Sequence, residues 1–179
     1  PNHFAEGQIP LEEIAVEDLF GPAAVVDVSD KCRTDADYRL SRQDLIDWES
    51  QHGRLQDGAI VLMYTGWGQK WTDYEAYKNA DTEGKMHFPG FSEKAARFLV
   101  DERQIKGIGI DNLSVDYGLS EDFVVHRVVN GAGKYHLENV ANVDQLPPAG
   151  PYLIIAPIKI RGGSGGQARI FGVLSSNDE

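Results

Sequence analysis

Three short apolar runs, two of them followed by a segment that opens with a helix-start signal, restrict this chain more than any other feature. They occupy residues 23–28 (AAVVDV), 59–65 (AIVLMYT) and 107–111 (GIGID). Each is too short for a helix and too evenly apolar for a strand with one wet face. Strands covered on both faces read this way. Between the first two, Ser41-Arg42-Gln43-Asp44 offers a capping serine with an acidic residue three positions on. It leads into Leu45, Ile46 and Trp48 and stops near His52-Gly53. Ser92 caps a second helix carrying Ala95, Ala96, Phe98 and Leu99, and residues 122–129 read as a third, ended by Asn130-Gly131-Ala132-Gly133. Residues 135–137 read as extended, and residues 152–156 and 168–174 as strands. This order predicts an α/β fold: a single compact domain with a central mixed β-sheet flanked by helices, and a smaller β element besides. Its length of 179 residues suits one domain, spanning 1–179. Gly21-Pro22 is expected to end a short helical turn within residues 11–20. The aromatic, aperiodic stretch 69–89 is expected to be a binding loop or an oligomer contact. Residues 175–179 read as a polar tail.

Charge narrows the function classes. Acidic residues outnumber basic ones 28 to 17, for a net charge of −11. A surface that binds nucleic acid needs clustered Lys and Arg against the phosphates, so nucleic acid is not an expected partner. No apolar run reaches the roughly 20 residues that span a bilayer, so no membrane segment is expected. The single cysteine, Cys32, forms no internal disulfide framework and fits a reducing compartment, which makes the cytoplasm the expected location. With no base beside it in a polar stretch, Cys32 is not expected to be a nucleophile.

The motifs that carry nucleotide or serine chemistry are missing. The GGSGG run at 162–166 lacks the Lys-Ser/Thr of a phosphate loop and does not join a strand to a helix. No Gly-x-Ser-x-Gly elbow is present. Of the five histidines, none forms a His-x-x-x-His pair. His126 on its helix and Glu138 after a Gly-rich turn could meet at one end of the sheet. Spacing alone leaves open a surface histidine and a solvated glutamate instead. His136 shares a face with Glu138 if that segment is extended. His87, in Met86-His87-Phe88-Pro89-Gly90, reads as a loop-packing or substrate-contact residue.

Taken together, several segments resemble the cyclase family of metal-dependent hydrolases, which includes bacterial kynurenine formamidase and isatin hydrolase. They are Pro1-Asn2-His3-Phe4, Val26-Asp27-Val28, Thr65-Gly66-Trp67, Phe88-Pro89-Gly90 and Gly109-Ile110-Asp111. The set continues with Ser114-Val115-Asp116, His126-Arg127, Glu138-Asn139 and Gly162-Gly163-Ser164-Gly165 followed by Arg169. The resemblance implies a swivelling β/β/α arrangement and hydrolysis of a small amide C–N bond in an aryl formamide or a lactam such as isatin. It implies a divalent metal, Zn or Mn, with His126 and Glu138 as ligands and His3 as the proton-transferring base. Members carry His-x-Gly-Thr-His-x-Asp-x-Pro-x-His, and this chain opens on the final Pro-x-His. The expectation is a chain lacking the N-terminal part of that motif, with activity impaired accordingly. Trp67, Trp71 and Phe88 are expected to wall a small-molecule substrate, with core or interface packing as the alternative. The resemblance also implies a homo-oligomer, dimer or tetramer. A non-catalytic binding or assembly module derived from the same fold is the competing expectation.

Overall fold

The computed structural model describes residues 1–174, and the expected polar tail lies outside the described residues. The elements run β1 (Phe20–Asp27), α1 (Ser29–Thr34), β2 (Arg39–Leu40), α2 (Arg42–His52), β3 (Ile60–Tyr64), α3 (Tyr74–Lys78), β4 (Gly90–Phe91) and α4 (Glu93–Arg97). After them come β5 (Gly107–Ile110), α5 (Val124–Gly131), β6 (Tyr135–Leu137), β7 (Ala149–Pro157) and β8 (Ala168–Val173). The main sheet is mixed, in the order β6-β5-β3-β1-β7-β8. Strands β6, β5, β3 and β1 are parallel, β7 pairs antiparallel with β1, and β8 pairs antiparallel with β7.

Burial follows strand type. Ile60, Val61, Leu62 and Met63 of β3 are sealed on both faces, as a central parallel strand must be. In β7 the pattern alternates, with Leu153 and Ile155 inside and Tyr152 and Ile154 outside, the mark of a strand with one covered face. One face of the sheet, through Ala24, Val26, Val61, Met63, Ile108 and Ile110, packs on Leu45, Trp48, Phe98, Leu99, Val125 and Val129 of the helical layer. The opposite face, through Ala23, Val25, Ile60, Leu62, Leu153 and Ile155, packs on Val140 and Val143. Helix α2 starts where the sequence places it: Ser41 and Asp44 form a reciprocal capping box.

One local expectation is corrected, and three segments that the sequence left undefined take shape. Gly21 and Pro22 do not stop a helix but lie inside β1, with Pro22 next to an irregularity in its pairing with β7, a position where a missing N–H is tolerated. Gly21 is needed there, since a Cβ would come within 2.6 Å of the Gly58 carbonyl oxygen. The polar stretch around Cys32 is helix α1, and it buries the thiol. Burial pushes that thiol up to about 12, so it is inert at neutral pH. The long connection after β3 holds a 3₁₀ turn, Trp67–Lys70, and α3. The smaller β element is the two-stranded β2–β4 pair, and the late strands belong to the main sheet.

Candidate metal centre

Helix α5 sets the site in motion. Val125 and Val129 bury completely in the helical-side core, which turns the adjacent His126 toward the end of β5 and β6. The helix begins after Phe123, whose φ of 51° offers no side-chain cap. The first free N–H groups find Asp116, in the loop after β5. Val125 and His126 donate backbone N–H to its two carboxylate oxygens at 3.0 and 3.1 Å. The same carboxylate takes the His126 ring at Nδ1, 2.7 Å from Oδ2. A carboxylate only accepts, so Nδ1 carries the proton and Nε2 faces the other way.

What Nε2 faces is Glu138, whose Oε1 is 3.4 Å away. Parallel pairing of β6 with β5 (Ile108 opposite His136, Gly109 opposite Leu137) carries the chain to Glu138. There Asn139, at φ 56°, donates its N–H to the Asn112 carbonyl at 2.7 Å, and Val115 donates to Glu138 at 3.2 Å. Ligand atoms of His126, His136 and Glu138 all lie within 4.8 Å of one another. The His3 ring is centred 6.0 Å from that of His126 and 5.9 Å from that of His136. The segment bearing His3 is tied down by Gln8, which donates to the Gly131 carbonyl at 3.0 Å. It is held further by Leu11 and Glu12, which bond the backbone of Gly163 and Gly162. The GGSGG run is therefore the connection between β7 and β8, forming the rim of a hollow of about 1170 Å³ that His3, His136 and Glu138 share.

Electrostatics mark a place for positive charge. Burial pulls the His126 imidazole down, but the hydrogen bonds to Asp116 and Glu138 outweigh it and hold the ring up at about 9. Burial raises both carboxyls, yet bonding to His126 keeps each below its ordinary value. His136 has no such anion in contact. Burial, then the charge at His126, lowers it to about 4, so it is neutral. The His126 Nε2 and the Glu138 carboxylate side by side, with Asp116 orienting the ring from behind, are a donor pair that suits a borderline divalent cation.

The other sequence candidates separate. Trp67 and Phe88, only 3% and 4% exposed, pack with Tyr77 in a cluster of their own, and the Trp67 Nε1 donates to the Tyr77 carbonyl at 2.8 Å. They are not on the wall of the hollow, because this cluster anchors the 67–89 connection to the body. Trp71 is 65% exposed and stands edge-on to Tyr77. It lines an adjoining recess of about 480 Å³ behind residues 139–142. Residues 65–67 and 111 meet: Thr65 donates its N–H and hydroxyl to buried Asp111, and so does the Gly68 N–H, fixing the turn after β3. Sequence reasoning assigned Asp116 no role, although an uncapped helix start downstream of an aspartate was a usable signal.

His87 lies elsewhere, with Nδ1 2.7 Å from Asp37 and Nε2 3.5 Å from Asp81. Its hydrogen bond to Asp37, against the cost of burial, raises its pKa. A raised histidine stabilises fully below its unfolded value near pH 6.5 and loses that contribution as pH climbs through the folded value. Urea midpoints should therefore fall as pH rises above about 6.5, and His87→Gln should flatten the decline. An unchanged slope in that variant would remove His87 from the account.

Comparison with known proteins follows the same residues. The model of the Cyclase family, described as "Putative cyclase", matches residues 1–117, which include His3 and Asp116. An isatin hydrolase of Roseibium aggregatum is 31% identical over 182 residues, covering 97% of this chain and 68% of that protein. Isatin hydrolase A from Labrenzia aggregata, bound to benzyl benzoate, superposes with a TM-score of 0.88 at 37% identity, over 92% of this chain. This chain covers 65% of that structure, a little under two thirds. A structure described as a potential metal-dependent hydrolase with cyclase activity gives a TM-score of 0.70 at 26% identity, covering 95% of this chain and 73% of its own.

Proposed function

The chain belongs to the Cyclase family, and from that premise we propose that it carries part of a metal-dependent hydrolase site acting on a small amide C–N bond. The substrates proposed are a lactam such as isatin or an aryl formamide. The observation that carries the reading is His126, buried between two carboxylates with Nε2 aimed at Glu138 and His3 facing it across the hollow.

In this reading His126 and Glu138 hold a divalent cation, zinc or manganese. Such a cation supplies Lewis acidity to a carbonyl oxygen and lowers the pKa of water to about 7. Asp116 keeps the His126 proton on Nδ1, leaving the Nε2 lone pair free. His3 takes a proton from water as its oxygen adds to the carbonyl carbon. As the C–N bond breaks, His3 returns that proton to the departing nitrogen. Hydrolytic sites use about three protein ligands and one open position. Two are present here, so further ligands are proposed to come from sequence beyond these 179 residues, and turnover by this polypeptide alone is expected to be low.

We extend the proposal to assembly and setting. The outer face of β7 and β8 exposes Tyr152, Ile154, Phe171 and Val173 to between 42% and 48%, which favours a homodimer or tetramer; a monomer in sedimentation would contradict it. No helix of the described residues is long and apolar enough to cross a membrane. The lone, buried Cys32 suits the reducing cytoplasm.

Calorimetric titration with Zn²⁺ and Mn²⁺ tests the reading. Uptake is expected in the wild-type chain and a loss of at least tenfold in affinity in His126→Ala and in Glu138→Ala. His3→Ala should keep the metal and lose hydrolysis of isatin and aryl formamides. Absence of uptake in the wild type favours a non-catalytic binding module, and full turnover in His3→Ala removes His3 as the base.

A further inference from the structure

Two imidazoles stand side by side in the site, with ring centres 4.3 Å apart, and their partners give the two Nδ1 atoms opposite roles. For His126 the partner is Asp116. For His136 it is Asn130, one helical turn after His126 on α5 and therefore on the same face. Asn130 is 1% exposed. Its amide nitrogen lies 3.1 Å from the Lys134 carbonyl oxygen and 3.2 Å from His136 Nδ1. The Lys134 carbonyl fixes which end of the amide is which, since turning it over would set two acceptors against each other. Both amide protons are then spoken for, one on Lys134 and one on His136. Nδ1 of His136 must accept, and its only ring proton sits on Nε2. Among the described residues that Nε2 has no hydrogen-bond partner, and the ring lines the hollow beside His3 and Glu138.

Resting on the hydrolase reading above, we infer that His136 stays off the metal and donates its Nε2–H to the substrate's carbonyl oxygen. An imidazole can ligate only through a free lone pair, and the one His136 has is occupied by Asn130. Ligating through Nε2 would require a proton on Nδ1, pointing at an amide N–H that has no alternative place to go. A fixed donor in a site sheltered from water suits the negative charge that grows on a carbonyl oxygen as water adds to the carbon. The four residues then divide the work: His126 and Glu138 hold the cation, His3 moves the proton, and His136 steadies the oxygen.

The tautomer can be read without metal, by two-bond ¹⁵N–¹H correlation spectra of the histidine-labelled chain at pH 7. His136 is expected to show its proton on Nε2; a proton on Nδ1 overturns the inference. Asn130→Asp replaces the donor by an acceptor and should move the proton to Nδ1. In that variant His136 becomes a ligand, and Zn²⁺ affinity should rise about tenfold; an unmoved proton would show that Asn130 does not set the tautomer. In the wild-type background, His136→Ala should bind Zn²⁺ within about threefold of normal, where His126→Ala loses tenfold or more. An equal loss in both makes His136 a ligand and sinks the assignment. Isatin added to the labelled chain should shift His136 Nε2, and no shift at saturating isatin removes the donor role. A chain that takes up no Zn²⁺ overturns the metal reading alone, because the tautomer and the isatin shift still decide this one. Where turnover is measured, His136→Ala should lower kcat about 100-fold with KM within threefold.

Discussion

Asp116→Ala is expected to destabilise the fold by about 3–5 kcal/mol and to abolish metal uptake in one step. Asp116 is 2% exposed, and it accepts from the N–H groups of Val125 and His126 and from the His126 ring. Removing it strands two helix-start donors and leaves a buried imidazole without one of its anions, the kind of loss measured when one partner of a buried pair is deleted. Asp116→Asn should be milder in stability and no better in metal binding. One oxygen can still cap the helix, but the amide end would turn donors toward either a backbone N–H or the His126 ring. Urea unfolding and Zn²⁺ calorimetry on both variants check the pair of effects, and wild-type metal affinity in Asp116→Asn would show that the ring needs no such partner. The pH dependence of the metal-free chain follows. The depressed Asp116 carboxyl stabilises above its unfolded value near pH 4 and loses that as pH falls further. The raised His126 stabilises below about pH 6.5 and loses its contribution as pH rises through about 9. Both contributions are complete only between about pH 4 and 6.5.

How far the sequence reached depends on whether a residue's work is local. The β3 run Ile60–Met63 was legible because a strand covered on both faces needs nothing but apolar side chains. The α2 start was legible because Ser41 and Asp44 satisfy each other within one turn. Helix α1 was not, since six residues with a single buried side chain, Cys32, give no period to detect. Gly21-Pro22 was misjudged because its tolerance in β1 comes from Gly58 and from the neighbouring strand β7, both distant in sequence. Within the site, His126 and Glu138 were placed together through family resemblance, and His136 was put on the Glu138 face by strand alternation. The geometry brings all three together. Asp116 and Asn130 stayed silent because they act on groups that only the fold brings near. For Trp67 and Phe88 the sequence left two readings open. A large aromatic residue can serve as pocket wall or as core, and only the packing against Tyr77 decides between them.

Gly90→Ala should damage the site from a distance, with a loss of at least 3 kcal/mol, above the usual range for an overpacked position. A Cβ at Gly90 would come within 2.4 Å of the Tyr117 backbone N, 2.6 Å of the Asp116 carbonyl carbon and 2.8 Å of the Val115 carbonyl oxygen. None of these is a flexible side-chain end, so relief requires moving backbone. The two segments have little freedom to move, because Phe91 donates to the Val115 carbonyl and Gly118 to the Phe88 carbonyl, each at 2.8 Å. Gly90 itself is held from the other side by the Tyr38 carbonyl at 3.0 Å. The part that must yield is residues 115–117, which present Asp116 to α5. A shift of a few tenths of an ångström there lengthens the three bonds that orient His126, so Zn²⁺ affinity should fall together with stability. Gly131→Ala is the control: it lies at the end of α5 with nothing within 4 Å of the new Cβ. That change should be neutral or stabilising by up to about 1 kcal/mol, with metal binding unaltered. If Gly90→Ala unfolds at the wild-type urea concentration, the close approach of residues 88–91 to 115–118 is not what holds Asp116 in place.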